Sequence, residues 1–305
     1  MMKPSRRLVL AALAALVPLY SGAADAPPSP PQSGKHVQVS GVYPHLCAFN
    51  GGGECGIGAV VPWAGKLWYV TYPPHQRVGS DDKLHMVDPA TMDLTLRPES
   101  VGGTHANRLI HRESNQLVIG AYFIDDKGTV RTVDVKKMPG RYTATARHLA
   151  DPAGKVYFVD MEGPVWEVDV KTLESNRLFV KPVPGWHSKG AYSGQGVLAQ
   201  SNNGEHAGGG LEKLTKEGKN IPGKPDPKSE DAGVLAEWNG KDVGSDAGWK
   251  IISRRQHVEV TGPGGIYGNA TDQDPLWSSG WDRRSTFVHV RDAKDNAWHV
   301  YRFPR

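Results

Sequence analysis

Short runs in which apolar and polar residues alternate recur along the whole chain, and no long amphipathic helix interrupts them. "VVPWAGKLWYV", "KLHMVDPATMDLTLR", "QLVIGAYFIDDKGTVRTVDV", "KVYFVDMEGPVWEVDVKTLESNRLFV" and "STFVHVRDAKDNAWHVYRF" are of this kind. They break at Asp-Pro, Asp-Asp-Lys-Gly, Asn-Gly and Asp-Asn. A period of two puts apolar side chains on one face of a strand, and such turn residues close hairpins. The pattern therefore specifies an all-β chain of successive hairpins. The best helical candidates are the N-terminal apolar segment and "GLEKLTKEG".

A loose repeat runs through these hairpins. A strand ends in Val-Asp, a turn follows, and another strand begins, as at Val87–Asp88, Val133–Asp134 and Val168–Asp169. Four-stranded meanders repeating every 40–50 residues or so make a β-propeller, and the length admits roughly six blades. A pair of β-sandwiches is the alternative, but the monotony of the hairpins favours the propeller. Asp88, Asp125, Asp126, Asp134 and Asp169 then read as turn residues, whose carboxylates bond to nearby backbone. Trp166, Trp238 and Trp298 fall within strands and read as blade packing rather than sugar platforms.

The N-terminus reads as a targeting segment over residues 1–26. Lys3, Arg6 and Arg7 precede the apolar run "LVLAALAALVPLY", and small residues follow near Ala23. The run is too short for a membrane span. An ordinary secretory signal is favoured over twin-arginine export, and either places the chain in the periplasm or outside the cell. Residues 27–36 form a Pro-rich linker, and residues 37–305 form the propeller domain. Cys47 and Cys55 are the 2 cysteines, and oxidation is chemically allowed in an exported protein. Their spacing is compatible with a disulfide or with two separate thiols.

The net charge of +4 is diffuse. No basic stripe with interleaved aromatics is present, which argues against nucleic acid as a partner. Nor is there a nucleophile elbow, P-loop or HExxH motif. The 12 histidines show no ligand spacing, so the metal question stays open. A structural ion in a propeller channel is compatible with the sequence, and no cofactor is required.

Several segments are too polar and Gly-rich for scaffold strands. These are "GVYPHLCAFNGGGECGIG" with His45, "VGGTHANRLIHRESNQL" with His105 and Arg108, "MPGRYTATARHLADP" with Arg147, "PGWHSKGAYSGQGVLAQSNNGE" with His187, Tyr192 and Gln195, and "EVTGPGGIYGNATDQDPLWSSGWDRRS" with Tyr267. A propeller sets residues of successive blades around one axis, so polar groups one blade apart can converge.

Taken in order, "GVYPHL", "ECGIGAVVPWAGKLW", "SDDKLHMVDP", "LRPESVGGTHANRLIHRESNQL", "MPGRYT", "ARHLADP", "YSGQGVL", "SNNGE", "VEVTGPGGIYGN" and "GWD" resemble the propeller enzymes of glycoside hydrolase family 145. The likeness runs from about Gly41 to Phe303. It implies a seven-bladed propeller acting on the L-rhamnose-α-1,4-D-glucuronate ends of arabinogalactan, by lyase or α-L-rhamnosidase chemistry. It further implies that the histidine of the Tyr43–Pro44–His45 motif is catalytic, and that a cationic pocket is supplied by Arg108 and Arg147. His105, His187, Tyr192, Gln195 and Tyr267 are the candidates for orienting the sugars. The family continues beyond the "YRFP" strand, so the resemblance implies either a fragment or a ring short of its last blade.

These residue types suit the chemistry. The glucuronate carboxylate acidifies its C5 hydrogen, and rhamnose leaves from the β-positioned O4. Histidine suits the base role because its free pKa lies near 6.5, and the planar arginine fork fits a carboxylate. Hydrolysis ordinarily needs two flanking carboxyl groups, and the acids here fall mostly in turns. The competing class is a non-catalytic sugar-binding or degenerate propeller.

Overall fold

A computed structural model describes residues 56–73, 76–77, 79–81, 83–180, 188–204, 233–282 and 284–304. His45, Cys47, Cys55, His187, the targeting segment, the linker and "GLEKLTKEG" lie outside the described residues.

Among the described residues, twenty strands form five four-stranded antiparallel sheets, each a simple meander in chain order. Blade one comprises β1 (Gly56–Trp63), β2 (Lys66–Tyr72), β3 (Leu84–Val87) and β4 (Leu94–Leu96). Blade two comprises β5 (Arg108–His111), β6 (Gln116–Ile119), β7 (Tyr122–Asp125) and β8 (Val130–Thr132). Blade three comprises β9 (Tyr142–Arg147), β10 (Lys155–Asp160), β11 (Val165–Asp169) and β12 (Ser175–Phe179). Blade four comprises β13 (Ser188–Gly194), β14 (Val197–Asn202), β15 (Val234–Trp238) and β16 (Trp249–Ser253). Blade five comprises β17 (Gln256–Thr261), β18 (Leu276–Trp281), β19 (Ser285–Asp292) and β20 (Ala297–Pro304). The first strands of neighbouring blades pack together, β5 on β9, β9 on β13 and β13 on β17. Consecutive meanders arranged with their first strands innermost make a β-propeller. Among the described residues there is no helix long and apolar enough to cross a membrane.

Five blades are described, against roughly six from spacing and seven from the resemblance. The repeat is irregular. First strands begin at residues 56, 108, 142, 188 and 256, and blade four holds the long segment 205–232 between β14 and β15.

Each blade-to-blade seam is an apolar cluster. Val61, Trp68, Leu117 and Ile124 join blades one and two, and Val118, Phe123, Phe158 and Val168 join blades two and three. Tyr157, Phe179, Trp238 and Trp249 join blades three and four, with edge-to-face ring contacts of the kind aromatic quadrupoles prefer. Tyr192, Ala199, Val260 and Leu276 join blades four and five. Among the described residues no cluster of strand residues joins blade five to blade one. Ile57, Val60 and Leu96 on blade one are exposed, as are Trp277, Tyr301 and Phe303 on blade five.

The acidic turns follow from local chemistry. Asp88 accepts the Ala90 N–H at 2.9 Å, and Asp169 accepts those of Lys171 and Thr172 at 2.8 and 2.7 Å. Both turns end in a left-handed residue, Met92 at φ 63° and Leu173 at φ 61°. "VDPATMDL" and "VDVKTLES" are therefore one hairpin, used between the third and fourth strands of blades one and three. Asp134 also accepts a turn N–H, from Lys136, but it follows β8 in the link to blade three. Among the tryptophans, Trp238 is buried in a seam, Arg177 lies over Trp166 at 5.5 Å, and Trp298 donates to Glu237 at 2.8 Å.

Candidate functional site

A cavity of about 310 Å³ lies where the first strands of all five blades meet. Gly58 of β1, Arg108 of β5, Thr143 and Thr145 of β9, Lys189 and Tyr192 of β13, and Glu259 and Thr261 of β17 line it. Its walls mix these polar groups with apolar ones, among them Leu109, Val260 and Ile266.

Bulges decide which side chains enter. Blades one, three, four and five each slip register between their first two strands. The residues the strand register skips are Gly58, Thr143, Lys189 and Val258. A bulge re-aims side chains, and one residue of slip exchanges the two faces of a strand. In β17, His257 and Val260 are both buried, while Glu259 and Thr261 line the cavity. Strict alternation would have put Glu259 on the face of His257. Gly58 is required for a different reason. Any Cβ there would collide with the carbonyl oxygen of His105, so blade one could not approach the strand entering blade two.

The cavity holds an unbalanced set of charges. Arg108 is exposed to it and makes no hydrogen bond or ion pair within bonding distance among the described residues. Glu259 lines the same water-accessible space and is exposed to it. Partial desolvation raises its carboxyl above the usual range, and the charge of Arg108 acts in the opposite direction. Lys189 adds a second cation. Tyr192 donates its hydroxyl to Gly265 O at 3.1 Å, and burial keeps the phenol neutral.

The loop between β17 and β18 reaches across from blade five. Ile266 lines the cavity and packs on the seam of blades one and two. The Arg112 guanidinium sits 4.6 Å from the ring centre of Tyr267. Arg147 donates to Asn269 O at 2.6 Å and pairs with Glu113. Gly268, at φ 70°, lies so close to Arg147 that a Cβ would come within 2.5 Å of its Cδ.

The residues predicted to bind substrate therefore part company. Arg108 and Tyr192 line the axial cavity. Arg147 instead borders a second hollow of about 220 Å³ with His148, Ser193, Asn269 and Asp272. His105 is 2 % exposed, stacked on Tyr142 with ring centres 4.8 Å apart, and its Nε2 lies 3.1 Å from Gly102 O. Burial lowers its pKa to about 4, so the ring is a neutral element of the core. Gln195 is a staple, donating to the carbonyls of Asp274 and Arg291 at 2.9 and 3.0 Å and accepting from the Arg291 guanidinium. Tyr267 is partly exposed on the crossing loop. Among the described residues no group of three or more metal-ligating side chains occurs.

Sequence reasoning passes over Lys189 and Glu259. The available signal was slight: a charge inside the otherwise uncharged strands "SKGAYSG" and "QHVEVT".

No protein-family model matches the sequence, and no curated protein does. Among solved structures, the chain is similar to YCF48 bound to D1 peptide at 10% identity and a TM-score of 0.42, covering 81% of this chain and 69% of that one. It is also similar to the tricorn protease at 10% identity and a TM-score of 0.37, covering 80% of this chain and 26% of that one. At these levels neither neighbour bears on what this chain does.

Proposed function

We propose that the chain is a carbohydrate-active enzyme that releases L-rhamnose from L-rhamnose-α-1,4-D-glucuronate ends of arabinogalactan-type polysaccharide. The substrate and reaction come from the resemblance to glycoside hydrolase family 145. The observation that carries the reading is Arg108, an arginine without a bonded partner, in a cavity bounded by every described blade.

In this reading Arg108 holds the glucuronate carboxylate, whose charge grows as the C5 proton leaves. His45, which lies outside the described residues, is the base. The C5–H electrons form the C4–C5 double bond, the C4–O4 bond breaks, and the departing rhamnose takes a proton on O4. A preorganised cation at the developing charge is worth about 3–4 kcal/mol in the transition state. Arg147 has a supporting part, because its guanidinium is already engaged by Glu113 and Asn269. Among the described residues lining the cavity, Glu259 brings the one carboxyl group. Ordinary hydrolysis uses two, so the site favours elimination.

The test is incubation of the purified chain, and of His45→Ala, with rhamnosyl-α-1,4-glucuronate. Free rhamnose is followed by chromatography, and the unsaturated uronate by its ultraviolet absorbance. Elimination gives both, and a folded His45→Ala variant loses about 10²–10⁴ in rate. Rhamnose without the chromophore means hydrolysis. A folded chain that releases no rhamnose overturns the enzyme reading in favour of a binding propeller.

A further inference from the structure

The hydroxyl groups of the residues lining the axial cavity are not all set in the same sense. Tyr192 gives its proton to Gly265 O at 3.1 Å, and Thr143 gives its own to Val159 O at 3.3 Å. Each keeps oxygen lone pairs, so each accepts from whatever enters. Thr145, which lines the same cavity, is set the other way. The Asn107 side chain donates to Thr145 Oγ1 at 2.8 Å and to Gly120 O at 2.9 Å. A carbonyl oxygen accepts and never donates, so the Asn107 atom facing these two partners is the amide nitrogen. The reverse amide orientation would set its oxygen against Gly120 O. Thr145 Oγ1 therefore receives a hydrogen bond, and its own proton has no acceptor among the described residues. Asn107 and Thr145 are 1 % and 5 % exposed, so this is not a surface hydroxyl turned to bulk water.

A buried donor without an acceptor is costly, whereas a donor oriented in advance loses little freedom when a ligand meets it. Asn107 directly precedes Arg108, so the residue that orients the hydroxyl also leads into the strand that presents the guanidinium. We propose that Thr145, oriented by Asn107, is a ligand-binding residue of the axial cavity. It donates its hydroxyl proton to an oxygen of the hydroxylated carboxylate that Arg108 holds. Arg108 of β5 and Thr145 of β9 are then the donors to the ligand, while Tyr192 Oη and Thr143 Oγ1 accept from its hydroxyls. Lys189 already has an interaction of its own and is not needed for this. The inference rests on the reading of Arg108 as the uronate anchor. It adds a second anchoring residue and the hydrogen-bond sense of the walls.

The experiment is calorimetric titration of free glucuronate into the full chain and its variants, with Tm recorded for each. Thr145→Val keeps the side-chain shape and removes the hydroxyl, and it should bind about tenfold more weakly. Thr145→Ser restores the hydroxyl and should bind within about twofold of the wild type. Thr145→Val also takes an acceptor from Asn107 and lowers Tm, so affinities are read well below the transition. If Thr145→Val does not fold, Thr145→Cys takes its place. It keeps a weak acceptor for Asn107 but is a poor donor, and it should bind about as weakly as expected for valine. Equal affinity of the wild type and a folded Thr145→Val or Thr145→Cys overturns the proposal. So does a Thr145→Ser variant weakened as much as these, and so does a folded wild-type chain that binds no glucuronate. Rhamnose release is scored separately. Release whose KM is unchanged in Thr145→Val defeats this inference alone, and serine-rescued binding without turnover defeats only the enzyme reading.

Discussion

Arg108 and Arg147 stand at the start and the end of first strands in neighbouring blades, and the two regions around them use the same side chain for opposite purposes. Around Arg108 the strands leave space, and no described group bonds its guanidinium. Around Arg147 the guanidinium is filled by a carboxylate and a carbonyl, so that it fastens the crossing loop of blade five to blades two and three. An arginine with open donors can be spent on a ligand, whereas one whose fork is occupied stabilises the fold. Residue type and motif neighbourhood do not distinguish these cases; the partners do.

The largest test of this contrast removes each arginine in turn. Arg108→Ala should lower kcat/KM for rhamnosyl-glucuronate by about 10²–10³ and leave Tm nearly unchanged. A large loss of Tm in that variant would erase the distinction. Arg147→Ala should do the reverse. It leaves Glu113 without its cation and Asn269 O without a donor, at a cost of about 1–3 kcal/mol. That corresponds to a Tm lower by several degrees, with kcat/KM little altered below the transition. Equal activity losses in the two variants would show that the crossing loop and the axial cavity act as one site.

A smaller effect separates cavity chemistry from stability. His105, His257 and His289 are buried, and burial lowers their pKa values to about 4, 3 and 4. Their neutral forms support the fold fully above the ordinary histidine pKa of about 6.5, and that support is lost as pH falls toward the folded values. Asp160 has the opposite sign, since burial raises it to about 7. Its contribution is present at low pH and is lost as pH rises through that value. Melting curves should therefore rise from acid toward about pH 6.5, with a slope blunted by Asp160, and level off above neutrality. Asp160→Asn should steepen the rise between about pH 4 and 7.

Much of the scaffold was legible because its signals are local. The turn carboxylates of Asp88 and Asp169 bond residues two or three positions on, so their role needs nothing distant. In β11, "VWEVD", the apolar residues are buried and the two acids half-buried, as alternation predicts. The site was far less legible. His105 and Gln195 sit in polar, Gly-rich segments that read like binding loops, yet both are satisfied inside the fold. Glu259 sits in a strand that reads like scaffold, yet it enters the cavity.

The sequence by itself determined that this chain makes strands rather than helices, where many of its hairpins turn, and that they repeat as blades. Period-two alternation and Asp turns act over a few residues and need no partner. Only the tertiary structure decided which polar residues meet. That depended on where each blade lies around the axis and on bulges at Gly58, Thr143, Lys189 and Val258. One unpaired residue exchanges the faces of a strand, and no pattern local to that strand records on which side of the bulge its neighbour will pack.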